Sequence, residues 1–189
     1  MSKEFFEAFP TLLGLHATHE IHPQELKGVV PTSGDKRTDF AVKYYSIAQK
    51  VGKEFGINPI VILAQGAIES GWGTSNLSKN HNNFFGITAY GSTNAYWKGA
   101  KYVSTSSGLP FRKYDSVADG FSDFARLLFS KYKDAAKASH SVEDYAQLIA
   151  HSPYINEKNG DNREKYKELI IQNAKVIALV SKKYQSLYN

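Results

Sequence analysis

The residue whose type and place most invite chemistry is Glu69. It nearly closes the run PIVILAQGAIES (residues 59–70), which is otherwise almost wholly apolar. A carboxylate taken out of water is costly unless it is paired or protonated. Burial disfavours the charged form and raises the pKa, and the negative end of a helix dipole pushes the same way. A carboxyl group held protonated near neutrality is what a glycosidic leaving oxygen needs from a general acid. On position alone, a solvated Glu at a fraying helix end is the competing reading.

The other reactive residue types offer less. His16, His19 and His22, with Glu20 between them, spell HATHEIH. These side chains suit zinc, but the spacing departs from the HExxH pattern of metalloproteases, and surface histidines in a loop or turn are expected. Ser70 lacks the GxSxG frame of a nucleophile, because Ile68 stands where the first glycine belongs. Its expected role is ending the helix. No phosphate-cradling GxxxxGK occurs, and the chain has no cysteine, which excludes thiol nucleophiles, disulfides and cysteine-based zinc sites. Neither a metal nor a cofactor is expected. Tyr90, Tyr96, Trp97 and Tyr102 cluster in a polar stretch rich in Asn, Ser, Thr and Gly. Either they form a wall on which sugars stack, or they pack a small β-ribbon onto the rest of the fold.

The elements that position these residues are mostly helical. Residues 1–35 are punctuated by Pro10, Gly14, Pro23, Gly28, Pro31 and Gly34 and read as an irregular lead-in. The folded domain is expected over 36–189. Thr38 is the expected cap of a first helix, whose apolar face runs Phe40, Ala41, Tyr44, Ile47, Ala48, Val51 and Phe55 up to Gly56. Asn58 caps the next, with Pro59 at its first position. That helix is apolar nearly all round, so it is buried on most sides, and it stops at Ser70-Gly71-Trp72-Gly73. Residues 74–114 show no long helical period and read as loops with a small β-ribbon, in which segments such as 96–103 pair as short strands. Helices then resume behind two capping boxes, Ser116 with Asp119 and Ser141 with Asp144. Asn162 caps the last one, which carries Tyr166, Leu169, Ile170, Ile177, Val180 and Tyr184.

Bulk properties bound the rest. The chain has 189 residues, 42% of them hydrophobic, enough for one domain with a real core. A formal net charge of +5 favours an anionic partner. Its basic residues are scattered rather than clustered, so nucleic acid is not the expected one. The N-terminus does not read as a secretory leader, because its short apolar stretches carry Glu4 and Glu7. Either a leader has been removed or export follows another route. No apolar run is long enough to span a bilayer, and a monomer is expected.

The motifs go further. The stretch Ala64-Gln65-Gly66-Ala67-Ile68-Glu69-Ser70-Gly71-Trp72-Gly73 resembles the signature of the bacterial peptidoglycan glucosaminidases, glycoside hydrolase family 73, which includes autolysins and flagellum-associated hydrolases. Asn82-Asn83-Phe84-Phe85-Gly86-Ile87 resembles the second motif of that family. Trp97-Lys98-Gly99 and Phe111-Arg112-Lys113-Tyr114-Asp115-Ser116 resemble its third and fourth. The resemblance runs from about residue 40 to 180. It implies a mainly α, lysozyme-like helical domain with a small β-ribbon and loop insertion lining the cleft.

By the same resemblance, Glu69 falls on the catalytic acid, and Trp72 and Phe85 on positions flanking the cleft. The family also places a Tyr late in the site. Tyr154, within His151-Ser152-Pro153-Tyr154, is the expected match, and Tyr166 the reserve, since Tyr166 lies on the apolar stripe of its helix. Trp72, Asn83, Phe85, Tyr90, Trp97 and Tyr114 form the expected substrate-binding set.

The sequence departs from the family pattern at one point. Many members carry a second carboxylate in the β-rich insertion, whereas residues 86–114 contain no Asp or Glu. Two-carboxylate glycosidases need a partner roughly 5 Å away for retention or 6.5–9.5 Å for inversion. Asp115, Asp119, Glu157 and Asp161 are the candidates outside the insertion. The substrate's own 2-acetamido group can serve instead as the nucleophile. The expected activity is therefore an endo-β-N-acetylglucosaminidase acting on peptidoglycan strands at the bacterial cell wall, extracellular or periplasmic. Lytic transglycosylase or muramidase action on the same polymer stands as the alternative, as does an inactive wall-binding module of a phage or secretion apparatus.

Overall fold

The computed structural model describes residues 34–157 and 160–186. Nearly all of the lead-in over 1–35, and the three histidines within it, lie outside the described residues. The first helix, α1 (Lys36–Phe55), is capped by Asp35, not Thr38. The Asp35 carboxylate accepts from the backbone N–H groups of Arg37 and Thr38 and from the Thr38 hydroxyl. Asp35 sits far enough upstream to reach all three donors, so the helix starts earlier than the apolar period indicates. Gly56 ends it at φ 69°.

Helix α2 (Pro59–Ser70) is the axis of the fold. Asn58 Oδ1 accepts from the Ile60 N–H at 2.9 Å, and every residue from Val61 to Ser70 is buried. It packs against α1 on one side and against α7 (Arg163–Ser186) on another. Burying Ile62 and Leu63, both at 0% exposure, contributes roughly 1.5–3 kcal/mol each. Such packing makes the far end of α2 a stiff platform.

A short helix, α3 (Asn76–His81), follows. The long-period pattern misses it, because a six-residue helix shows no period. The Ser75 side chain caps its start, and Asn82 in the left-handed region closes it. The insertion then carries two strands, β1 (Lys101–Val103) and β2 (Pro110–Arg112), paired antiparallel with Tyr102 opposite Phe111. Thr88 bridges to Phe111 from the other side. Pairing therefore begins at Lys101 and leaves residues 96–100 outside the ribbon.

Both serines cap their helices. Ser116 Oγ accepts from the Asp119 N–H ahead of α4 (Val117–Lys131), and Ser141 Oγ from the Asp144 N–H ahead of α6 (Val142–Ala150). Between them lie α5 (Lys133–Lys137) and a 3-10 turn at Ala138–His140. Asn162 Oδ1 accepts from the Lys165 N–H at the start of α7. The domain is thus mainly helical and lysozyme-like, with one small ribbon inserted after its central helix. Among the described residues, no helix is long and apolar enough to cross a membrane.

Candidate active site

Glu69 lies one residue before the end of α2 and is 8% exposed. The chain leaves the helix abruptly. Gly71, Trp72 and Gly73 all have positive φ, at 60°, 63° and 74°. Glycine takes this conformation freely, but Trp72 does so at a cost of order 1–3 kcal/mol. Its surroundings hold it there: the Phe40 ring meets the indole edge-on at 5.7 Å, and the Arg37 guanidinium lies over it at 5.8 Å. Ser70 Oγ donates to Gly66 O and accepts from Gly73 N–H, tying the turn to the helix. The turn carries the backbone away and leaves the Glu69 carboxyl fixed at the helix end.

Two phenols converge on one oxygen of that carboxyl. Tyr166 in the first turn of α7 donates to Glu69 Oε1 at 2.7 Å, and Tyr154 donates to the same atom at 3.3 Å. Tyr154 sits in the loop after α6, which Arg163 pins by donating to Ala150 O and Ser152 O. Behind Tyr166, the Gln65 amide donates to its hydroxyl oxygen at 2.9 Å, and Tyr145 donates to Gln65 Oε1. Burial raises the Glu69 carboxyl to about 7, against the hydrogen bonds from Tyr166 and Tyr154 that pull it down; the nearby charge of Asp161 adds to the rise. Burial, and then the Glu69 charge, push the three phenols well above their ordinary range, so they stay protonated donors. Both of these phenol hydrogen bonds fall on Oε1, and neither falls on Oε2.

A second buried acid does different work. Asp123, at 0% exposure on α4, accepts from Arg112 Nη1, Arg126 Nε, the Tyr114 hydroxyl and the Asn94 amide. Burial alone would raise its carboxyl, but the bonds from Tyr114, Arg126 and Arg112 outweigh it and hold the group below the ordinary range. This cluster fastens the ribbon to α4.

The expected site residues are not all gathered in one cleft. Glu69 and Tyr154 meet directly, and Tyr166 joins them at a shorter distance than Tyr154. Of the six residues expected to bind substrate, five are buried. Asn83 uses its amide to hold Ile87 and the Arg112 carbonyl. Phe85 lies flat on Phe124, with ring centroids 3.8 Å apart. Trp97 donates to Ala100 O and carries the Arg112 guanidinium 4.2 Å over its ring. Tyr114 serves Asp123, and Trp72 is held as described. Burial and occupied hydrogen bonds make these five part of the frame around the insertion and the end of α2. Tyr90 alone of the set is exposed, at 60%. Gln65 and Tyr145 join the site without being expected from the sequence. Gln65 is the one polar residue a turn before Glu69 on the same helix face, a signal the sequence does hold. Tyr145 lies on an apolar stripe and gives none. Among the described residues, no group of His, Asp and Glu could hold a metal ion.

Comparison with known proteins decides the family. The profile of the glucosaminidase family, described as mannosyl-glycoprotein endo-beta-N-acetylglucosaminidase, matches residues 45–179. The chain belongs to this glycoside hydrolase family. Within the glucosaminidases, it is 28% identical to the peptidoglycan hydrolase FlgJ of Vibrio parahaemolyticus over 142 residues, covering 67% of this chain and 45% of that protein. It is 31% identical to a probable N-acetylmuramidase of Lactococcus lactis over 119 residues, 60% of this chain and 27% of that one. The chain therefore spans less than half the length of these curated relatives. The glycoside hydrolase domain of Salmonella typhimurium FlgJ superimposes with a TM-score of 0.58 at 27% identity, covering 79% of this chain and 96% of that domain.

Proposed function

We propose that this glucosaminidase cuts the β-1,4 glycan of peptidoglycan as an endo-β-N-acetylglucosaminidase, with Glu69 as general acid. The observation that carries the reading is the buried carboxyl raised to about 7 by desolvation, with two phenols on its Oε1. Near neutrality a large share of Glu69 holds a proton to give. The Oε2 proton passes to the glycosidic oxygen as its bond to C1 breaks. The carbonyl oxygen of the neighbouring 2-acetamido group attacks C1 from the opposite face and forms a cyclic oxazolinium ion. Water then opens that ring, and its proton returns to Glu69.

Tyr154 and Tyr166 divide the remaining work. Tyr166 is buried and close, and it holds the acid. Tyr154 is half-buried and its bond to Glu69 is long, so its hydroxyl is free to turn toward the acetamido group or the attacking water. Tyr90, exposed on the insertion, is the candidate among the expected set for direct sugar contact. A net charge of +5 draws the chain to a polymer bearing peptide carboxylates. The site of action is the cell wall, outside the cell or in the periplasm.

The relatives' names leave two bonds to distinguish, and mass spectrometry of digested muropeptides does so. Reducing-end N-acetylglucosamine is the expected product. Reducing-end N-acetylmuramic acid makes the protein a muramidase, and an anhydro end makes it a lytic transglycosylase. Binding without cleavage removes the enzymatic reading.

A further inference from the structure

We propose that Gln65 and Tyr145 are positioning residues that fix the direction in which the Tyr166 proton points, and so hold the acid in its working state. The inference rests on Glu69 being the acid of the proposed function. Gln65 and Glu69 are four residues apart on α2, hence on one face. That face meets Tyr166 of α7 and Tyr145 of α6. The four polar groups form a single file: Tyr145 hydroxyl to Gln65 Oε1, Gln65 Nε2 to Tyr166 hydroxyl, Tyr166 hydroxyl to Glu69 Oε1.

The file has a sense, and the buried end sets it. Tyr145 is at 0% exposure, so its O–H must donate to an acceptor inside the fold, and the Gln65 carbonyl oxygen is the one it meets. This fixes the amide so that its NH2 faces Tyr166. The Tyr166 oxygen accepts that N–H, and its own proton then goes to Glu69. With the amide reversed, the carbonyl oxygen would claim the Tyr166 proton, and the Tyr145 O–H would be left facing an NH2 donor. Glu69 would lose its shorter donor. Hydrogen bonds in such a file also strengthen one another, by roughly 10–30% per bond. Gln65 touches no reacting atom; it acts through Tyr166.

The test uses the full chain, purified peptidoglycan and three variants: Q65M, Y145F and the double variant. Clearing rates are measured from pH 5 to 9, with saturating rate and half-saturating wall concentration taken separately. A donor that weakens toward the carboxylate lets the Glu69 pKa climb, so the alkaline limb of the activity profile moves up. The expected shift is about half a pH unit in Q65M, and at least as much in Y145F, where the amide is free to reverse and claim the Tyr166 proton. The saturating rate falls roughly tenfold while the half-saturating concentration stays within about twofold, the pattern of a residue that acts in the transition state. The double variant keeps the Q65M profile, because the file is already broken. A merely structural role lowers activity only through the folded fraction and leaves the limb in place. Limbs that coincide with wild type, or that move down, overturn the proposal. If Q65M does not fold, Y145F, which loses only a hydroxyl, decides between the same two outcomes. An active E69Q would instead overturn the proposed function, an outcome distinct from an inert E69Q beside unmoved limbs.

Discussion

Replacing Glu69 by Gln separates the catalytic proton from everything else the side chain does. The amide keeps the shape, and its oxygen still accepts from Tyr166 and Tyr154, but it has no acidic proton to give. Wall hydrolysis should fall by more than about a hundredfold, the low end for a general acid. The same change should make the protein more stable at alkaline pH. In the unfolded chain the carboxyl titrates at its ordinary 4.5, and in the folded one at about 7, chiefly through desolvation. Below 4.5 both states are protonated and the carboxyl costs nothing. Between the two values the unfolded chain gives up its proton first, so stability falls as pH rises. Above 7 the loss is complete. At about 1.4 kcal/mol per pH unit it amounts to roughly 3 kcal/mol. Gln has no such titration. The gap between E69Q and wild type should therefore widen from pH 4 to pH 8 by that amount, or roughly 6–12 °C in melting temperature for a chain of this size. Thermal unfolding at both pH values, beside turbidity clearing of purified walls, measures the two effects. A gap that is the same at pH 4 and pH 8 would refute the buried, raised carboxyl. More than a tenth of wild-type activity in the variant would refute its role as the acid.

Tyr154→Phe should lower the saturating clearing rate several-fold more than it weakens wall binding, because a phenol that orients the acetamido group acts mainly in the transition state; a variant with unchanged turnover moves the role to Tyr166. No carboxylate besides Glu69 should prove essential when Asp115, Asp119, Glu157 and Asp161 are changed one at a time to Asn or Gln. Of these, Asp161→Asn should shift the alkaline limb down by a few tenths of a pH unit, since the Asp161 charge raises the Glu69 carboxyl; a folded variant as inactive as E69Q would identify a second catalytic acid. Gly120→Ala should cost about 1–3 kcal/mol in denaturant unfolding, because its Cβ would stand 2.3 Å from the Asn82 carbonyl oxygen. Wild-type stability there would mean that α4 and the second motif are less closely packed than they stand.

The strongest local chemistry was legible in the sequence. Asn58-Pro59 and Gly71 bracket α2 as expected, and Ser116 and Ser141 cap their helices, because each of these rests on side chains within a turn of the helix end. Thr38 misplaces the first start, since a cap depends on which oxygen reaches the free N–H groups, and Asp35 reaches them from outside the apolar period. Glu69 stands out because an acid ends an apolar helix inside a recognisable motif; its position alone would also suit a fraying helix end. The aromatic residues are harder to read. Trp97, Tyr114 and Phe85 present the residue types of a sugar wall, yet each satisfies its ring or polar edge inside the fold. Nothing local separates a tyrosine that packs from one that binds. The same limit ranks Tyr166 behind Tyr154, since its place on an apolar stripe reads as packing and is also what carries its hydroxyl to the end of α2.

Of the three acids buried among the described residues, Glu69 and Asp123 end in opposite states, and their neighbours account for the difference. Asp123 and Glu69 are both buried on helices, each with one serine and one apolar residue beside it in the chain. Asp123 meets two guanidinium groups, so the charged form is favoured despite burial, and the group is committed to holding the ribbon. Glu69 meets neutral phenols. They orient an oxygen and temper the rise in pKa without supplying a positive charge that would lock the proton off. An arginine in the place of Tyr166 would give a stronger bond and a poorer acid. The file from Tyr145 through Gln65 serves the same end, because it delivers polarisation to the carboxyl through groups that are themselves neutral. The insertion contributes structure through its arginine, and no acid in the run from Gly86 to Tyr114 competes with Glu69 for protons. On this account the chemistry depends on a site poor in charge, and the oxygen that meets the reacting sugar carbon comes from the sugar itself.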